Sequence, residues 1–370
     1  MKLFLVGDIS PTVATYELFK NKDINTLFTD TTQLFLNNDI NFVNLECAIT
    51  DCETQIRKMG PALKAPYETA EVLRDLGVTC VGVSNNHFFD FGIKGVRDSI
   101  KALSDVNLPI IGFGENYEDS RKNYIYEKDG ERICIIAVCE HEYSYALEDR
   151  MGTRPVDEID TIEDVRKAKE TFDKVIVIYH GGKEYCQYPS PRLRKLCQAL
   201  ARNGADVIIG QHSHCICCYE KYNNSHILYG QGNFHFVKQV TVSCYSGLDI
   251  RKIWNESLAV KYDTKTNEIE FVPIVTYDNK GITIAKGEQK AEIIKSFENR
   301  NEQLKNGEWK QKWHEHCLTI EEEYRSSIKK FAAPEFAARY PEIFAHCLDC
   351  EAHTDVWREL FKTRNYTNEK

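Results

Sequence analysis

The segment DKVIVIYHGGKEYCQYPSPRLRKLCQALARNGADVIIGQHSH, residues 173–214, decides the fold class. Its first eight residues are an apolar run of strand length that ends on His180. Pro191–Arg202 then carries apolar residues at helical spacing. ADVIIG (205–210) is a second apolar run, and QHSH follows at once. Strand, helix and strand in this order form the repeating unit of a parallel sheet. Each strand delivers histidine just past its C-terminal end, the edge where open α/β sheets bind ligands.

The same pattern runs back to the N-terminal residues. KLFLV (2–6), NFVNL (41–45), VTCVGV (78–83), PIIGFG (109–114) and RICIIAV (132–138) read as strands. Pro66–Leu76 and Lys94–Leu103 read as helices. The fold class is therefore α/β, built on a layered sheet. After about residue 225 the alternation stops. HILYG, SGLDIRKI, SLAVKYD and EIEFVPIVTY read as mainly antiparallel strands that complete a second sheet or an edge.

Near residue 285 the character changes again. Ala291–Leu304 is amphipathic and helical, and Lys305–Glu308 reads as a loop after it. Trp309, Trp313, Cys317, Tyr324, Ile328 and Phe331 recur at multiples of three or four, a helix stripe. Pro334 starts a further helix, Thr354–Thr363 another, and RNYTNEK (364–370) a frayed end. The chain thus divides into residues 1–285 and a helical appendage, 286–370, docked through its aromatic stripe. The alternative use of that stripe is a surface for a homodimer or a protein partner.

Composition narrows the function. Hydrophobic residues make up 42% and charged residues 28% of 370, ordinary for a globular protein. A formal net charge of −9 argues against a general nucleic-acid binder, which needs basic surface to displace counterions. No apolar run is long enough for a secretory signal or a membrane span. The expected location is therefore the cytoplasm, with the 14 cysteines reduced and mostly buried as small hydrophobes.

The residues that carry chemistry share one placement. Asp8, Glu46, Asn86 with His87, His180, and His212 with His214 each follow a predicted strand. Imidazole and carboxylate together suit Zn, Mn or Fe. A two-metal site needs a bridging carboxylate, and Glu46 is a reasonable bridge. A water held there would approach a pKa of about 7 and become the nucleophile. His87 would protonate a leaving group or polarise the substrate. Each residue has a blander reading alone. Asp8 could cap a turn, Asn86 could make one, Glu46 could pair with a cation, and H-x-H in a strand could be polar surface. Their joint occurrence after five strands favours metal.

The strings GD (7–8), NLE (44–46), SNNHFFDFG (84–92), HGGKEY (180–185), GADVIIGQHSH (204–214) and ILYGQGNFHF (227–236) resemble the CapA family. That family takes its name from poly-γ-glutamate capsule synthesis and belongs to the calcineurin-like metallophosphoesterase superfamily. The resemblance covers roughly residues 1–240. It implies a four-layer α/β/β/α sandwich with metal at the sheet edges. Asp8 and His214 would face one ion, Asn86, His180 and His212 the other, and Glu46 would bridge. His87 would take the catalytic histidine's position. Ser10 stands where the superfamily's D-x-H motif has its histidine, and Glu46 stands for the usual Asp. The first metal position is thus short of a nitrogen ligand, so one or two divalent ions are expected. Gln211 and Ser213 depart from the family's GHHPH-like string.

Other residues have two readings each. Lys183, Glu184 and Tyr185 orient substrate or form surface loop. Asn233 braces the site through hydrogen bonds. Asp90 orients His87 or caps the helix near Ile93. In the tail, His314, His316, Cys317, His346, Cys347, Cys350 and His353 hold the residue types of a zinc site, but their spacing fits helix packing better. Cys215 and Cys217 point away from the face carrying His214 and pack inward.

The resulting expectation is a metal-dependent hydrolase of a phosphoester or (γ-glutamyl) peptide amide in capsule or surface-polymer metabolism, taking a small-molecule, peptide or polymer substrate. The alternatives are a metal-dependent peptide epimerase and a non-catalytic component of a polymer synthesis or export complex.

Overall fold

The computed structural model describes residues 1–237, 249–331 and 333–362. Two sheets carry the fold. In the first, Lys2–Ile9 lies between Ile40–Leu45, parallel to it, and Glu256–Asp263, antiparallel to it. Cys80–Gly82 and Ile110–Ile111 extend the parallel side, and Glu268–Tyr277 and Gly281–Ile284 the antiparallel side. Asn233–His235 pairs with the C-terminal part of Lys2–Ile9. The second sheet runs Tyr219–Tyr222, Ser225–Leu228, Val207–Gln211, Lys174–His180, Glu131–Cys139, Tyr124–Lys128. Its four central strands are parallel and its two edges antiparallel.

The period-two alternation of these strands builds the layers. Leu3, Leu5, Ile40 and Phe42 face Ile133, Ile135, Ile176, Ile178, Val207 and Ile209 across a core between the sheets. Phe4, Val6, Val43 and Leu45 point the other way, onto Val72 and Leu73 of helix Glu68–Leu76 and Val96 and Leu103 of helix Gly92–Asp105. On the far side, Val175, Val177 and Ile208 meet Val165 of helix Glu158–Thr171 and Leu196 and Leu200 of helix Pro191–Arg202. Helices, sheet, sheet and helices give the expected four layers. Strands buried on both faces read as unbroken apolar runs, which is why they stand out in the sequence.

Several local expectations need correction. SGLDIRKI is not a strand: Ile250–Trp254 is a short helix, and residues 246–248 lie outside the described ones. Asp249 caps it by accepting from the backbone N–H of Arg251 and Lys252, a local signal stronger than the apolar spacing. Helix Glu158–Thr171, capped by Asp157, was not expected, because its charged residues dilute the apolar face. The antiparallel strands after residue 255 extend the first sheet, while HILYG enters the second. The tail stripe spans two helices, Trp309–Thr319 and Glu321–Phe331. Trp309, Trp313, Cys317 and Tyr324 are buried, but Ile328 is exposed. Helices Pro334–Arg339, Pro341–Asp349 and Glu351–Phe361 follow. Thr363 and RNYTNEK lie outside the described residues.

The helix Gly287–Asn306 places Ile293 and Phe297 in the core between the sheets, and Leu304 and Trp309 join the outer core of the second sheet. No described helix is long and apolar enough to cross a membrane.

Candidate metal centre

The C-terminal ends of the parallel strands of both sheets meet along one edge. Asp8 comes from Lys2–Ile9, and Glu46 and Asn86 follow the next two strands of the first sheet. His180 ends Lys174–His180, and His212 and His214 follow Val207–Gln211 in the second. The centre therefore straddles the sheets, and its six expected residues are all buried.

Two ligand groups form. Ligand atoms of Glu46, His180 and His212 lie within 4.8 Å of one another, as do those of Asp8, Glu46 and His214. Glu46 is common to both. Asn86 joins the first group, its Oδ1 3.0 Å from His180 Nε2, which lies 3.3 Å from Glu46 Oε1. Asp8 is held by Asn44, whose Nδ2 donates to Oδ1 at 2.7 Å, and by the backbone N–H of His212 at 3.1 Å.

His212 and His214 do not sit in a strand. Val207–Gln211 ends before them, and both adopt left-handed backbone, with φ of 77° and 52°. That conformation is uncommon for a non-glycine residue and clusters at functional sites. It brings both rings into the centre, 6.0 Å apart. Cys215 and Cys217 are buried in the outer core as expected, though the turn rather than strand alternation puts them there.

The donor set fits divalent metal. Both carboxylate oxygens of Glu46 and the Nδ1 of His212 are buried without a hydrogen-bond partner, an arrangement too costly to leave uncompensated. Burial pushes the Glu46 carboxyl up to about 8. Burial, with the neighbouring charge of Glu46, pushes Asp8 up to about 7. Two carboxylates so placed ionise together only beside compensating positive charge. Burial drives His180 down to about 3, which keeps its ring in the neutral form that ligates metal. His212 is raised: burial opposes, but Glu142, Glu184 and Glu46 outweigh it.

His87 and Asp90 form a buried pair beside this centre. His87 Nδ1 is 2.6 Å from Asp90 Oδ2, which also accepts the backbone N–H of Leu63 at 2.7 Å. Asp90 does not cap the following helix, which starts at Gly92 without a side-chain cap. Lys58 Nζ lies 2.5 Å from Asp90 Oδ1 and 3.2 Å from His87 Nδ1. Burial, then the charge of Lys58, holds His87 below the usual histidine range.

The remaining expected residues occupy supporting positions. Asn233 Oδ1 accepts from His214 Nδ1 at 2.8 Å, while its Nδ2 donates to the Trp254 carbonyl at 3.2 Å. Gln211 ties the sheets together by donating to the Val6 carbonyl at 3.2 Å. Ser10 is fully buried, its backbone N–H bonded to the His235 carbonyl. Tyr185 lies 6.3 Å from the His214 ring, and Glu184 and Lys183 line the cavity over the centre. The tail histidines and cysteines form no comparable ligand group among the described residues.

Three contributors went unnoticed in the sequence. Glu142 lies 3.4 Å from His212 Nε2 and accepts from Asn86 Nδ2 at 3.2 Å. It follows the strand Glu131–Cys139, so the rule that found the histidines reaches it too. Asn44 stands inside the NLE string. Lys58 lies in the irregular segment between Ile49 and Lys64, with no local signal.

Comparison with known proteins adds a family. The model of the bacterial capsule synthesis protein family PGA_cap matches residues 2–238. The capsule biosynthesis protein CapA of Bacillus anthracis is 33% identical over 181 residues, 47% of this chain and 44% of that protein. The chain thus matches less than half the length of that relative. The PGA biosynthesis protein CapA of Bacillus subtilis (strain 168) is 28% identical over 301 residues, 78% of this chain and 75% of that protein. Among solved structures, a 5'-nucleotidase from Candida albicans superposes with a TM-score of 0.42 at 8% identity, covering 87% of this chain and 58% of that one. The fold described above rests on the sheet topology rather than on that likeness.

Proposed function

The chain belongs to the bacterial capsule synthesis protein family PGA_cap, and we propose that its buried ligand cluster is the active site of a metal-dependent hydrolase. Its substrate in this reading is a phosphoester or a γ-glutamyl peptide amide of capsule or surface-polymer metabolism. The observation that carries the proposal is Glu46: a buried carboxylate common to two ligand groups, with neither oxygen hydrogen-bonded.

Divalent metal bound there would supply an acidified water and polarise the electrophilic oxygen of the substrate. Asp8 and His214 would hold one ion, Asn86, His180 and His212 the other, with Glu46 between them. Asn44 and Asn233 fix the orientation of Asp8 and His214. His87 gives its Nδ1–H to Asp90 and rests neutral, so Nε2 is available to take a proton from the attacking water and return it to the leaving group. Lys58, paired with Asp90, and Lys183 line the cavity and are placed to meet an anionic substrate.

Purification without chelator, followed by metal analysis, tests the centre. The wild type is expected to carry more than one transition-metal ion per chain, or one tight ion if Ser10 disables the position of Asp8 and His214, and His212→Ala and Asp8→Ala each to lose metal. Unchanged metal content in both variants would refute the assignment. Assays against phosphomonoesters, phosphodiesters and γ-glutamyl amides then identify the bond broken.

A second reading draws its support from the names of the two Bacillus relatives, since both speak of biosynthesis. Here the metal centre stabilises a component of a polymer-synthesis complex. It predicts metal binding without turnover on any of those substrates, and loss of polymer in cells carrying His87→Ala only if that variant also loses its partner.

A further inference from the structure

The cavity above the metal centre has walls from two parts of the chain. Its floor includes Asn86, His87 and His212, and its far side is made by His346, Cys350 and His353 of the C-terminal helices. Those helices lie at 334–361, beyond the family match, which ends at residue 238.

The helices are fastened by the loop that also serves the floor. Glu142 reaches down to Asn86 and His212. On either side of it, the backbone N–H and Nδ1 of His141 bond Glu351 at 2.8 and 2.7 Å, and Tyr145 donates to Asp349 at 2.6 Å. A second anchor joins Asp355 to Ser190 at 2.5 Å and to Arg192 at 2.9 Å. Tyr143, between Glu142 and Tyr145, lies against the His346 ring with centroids 4.4 Å apart.

His346 is the residue of this wall with unspent capacity. It is only 8% exposed, and its Nδ1 is buried without a hydrogen-bond partner. His353 differs, because its Nδ1 is 2.8 Å from the Tyr324 hydroxyl. A buried ring nitrogen without a partner is destabilising unless something else binds it. The cavity carries Lys183 and Lys58, the latter paired with Asp90, against Glu184 and a Glu142 carboxylate already engaged by Asn86 and His212. An imidazole N–H among these groups is suited to an oxyanion.

We propose that the C-terminal helices roof the metal cavity and that His346 contacts the substrate, donating a hydrogen bond to an oxyanion, phosphoryl or carboxyl, held over the metal centre. This inference rests on the hydrolase reading of the floor. It makes the roof, which lies outside the family match, a specificity element of this chain.

The test uses the full chain loaded with zinc, with inorganic phosphate and L-glutamate as separate probes for the two oxyanion sources. Metal content is measured first in the wild type, His346→Ala and His346→Gln. It is expected to be equal in all three, since His346 ligates no ion. Titration calorimetry should then give binding of at least one probe that is about tenfold weaker in His346→Ala, the loss expected for one hydrogen bond to a charged group. His346→Gln, which keeps an N–H donor, should fall between. In protein with isotope-labelled histidine, the ring resonance assigned to His346 should shift as that probe is added. Equal affinity in wild type and His346→Ala, or no binding of either probe by the zinc-loaded wild type, overturns the roof contact alone. A wild type that holds no metal overturns the floor reading and the roof with it.

Discussion

At the level of single residues, the centre is governed by charge that cannot be solvated. Asp8 and Glu46 have carboxyls pushed up to about 7 and about 8. An acid whose folded value exceeds its unfolded one keeps a proton that the unfolded chain has released. Its stabilising contribution is whole below the unfolded value and is lost as pH rises through the folded one. The metal-free protein should therefore lose stability from these groups between about pH 4 and about pH 8. Divalent metal replaces those protons, so the increase in melting temperature on adding manganese should grow over the same range. Thermal scans with chelator and with manganese check this, and a metal effect independent of pH contradicts it. Asp90 makes a separate prediction. Asp90→Asn should leave metal content unchanged and lower kcat by about 10–100-fold with little change in KM, as expected when a proton-transferring group is mispositioned. The charge of Asp90 raises the His87 value, so its loss should also move the acidic limb of the pH–rate profile to lower pH. Asp8, Glu46, Asn86 and the three histidines were legible because strand ends are legible. Lys58 was not, because its proximity to His87 is created by an irregular segment folding back over chain 29 residues away.

At the level of elements, strand ends place the ligands, but local geometry decides how they point. The pair His212 and His214 suggests alternation along a strand. In the fold the strand stops at Gln211 and a left-handed turn aims both rings inward. That turn is packed against Gly230. A Cβ at Gly230 would lie 2.5 Å from Ser213 Oγ and 2.5 Å from Cys217 Sγ. Gly230→Ala should therefore cost about 1–3 kcal/mol, the usual range for overpacking, and should also reduce bound metal by displacing the turn. Urea unfolding and metal analysis on one preparation separate the two effects. A destabilised variant with full metal content would show that the turn does not depend on this contact. The short helix Ile250–Trp254 carries the same lesson. Its apolar spacing suits a strand, yet the Asp249 cap and the place of Trp254 beside His214, 4.5 Å between ring centroids, favour a helical turn.

At the level of the whole molecule, the helices after residue 286 follow the last strand in sequence but share in the core. Ile293 and Phe297 enter the space between the sheets, and Trp313 is buried with Cys186 and Val356. Each large core truncation typically costs about 3–5 kcal/mol, against a total stability of about 5–15 kcal/mol. Trp313→Ala should thus lower the unfolding free energy by about 3–5 kcal/mol. Truncation after Ala285 removes several such residues and should leave a chain that does not fold cooperatively. Circular dichroism and denaturant titration measure both, and a cooperative, metal-binding fragment 1–285 would contradict this.

The α/β class, the two-sided burial of the central strands and the residues gathered at their C-terminal ends can all be read from the chain. These follow from short-range rules: apolar run length, helical spacing, and ligand types placed just past a strand. Tertiary structure alone decided that the ends of two different sheets face one another, so that Glu46 from one sheet lies among histidines from the other. It alone brought Lys58 beside that centre and folded His346 over it, 300 residues along the chain from Glu46. Such contacts depend on how whole layers pack and on which buried charges need compensation, and no local pattern in the chain encodes either.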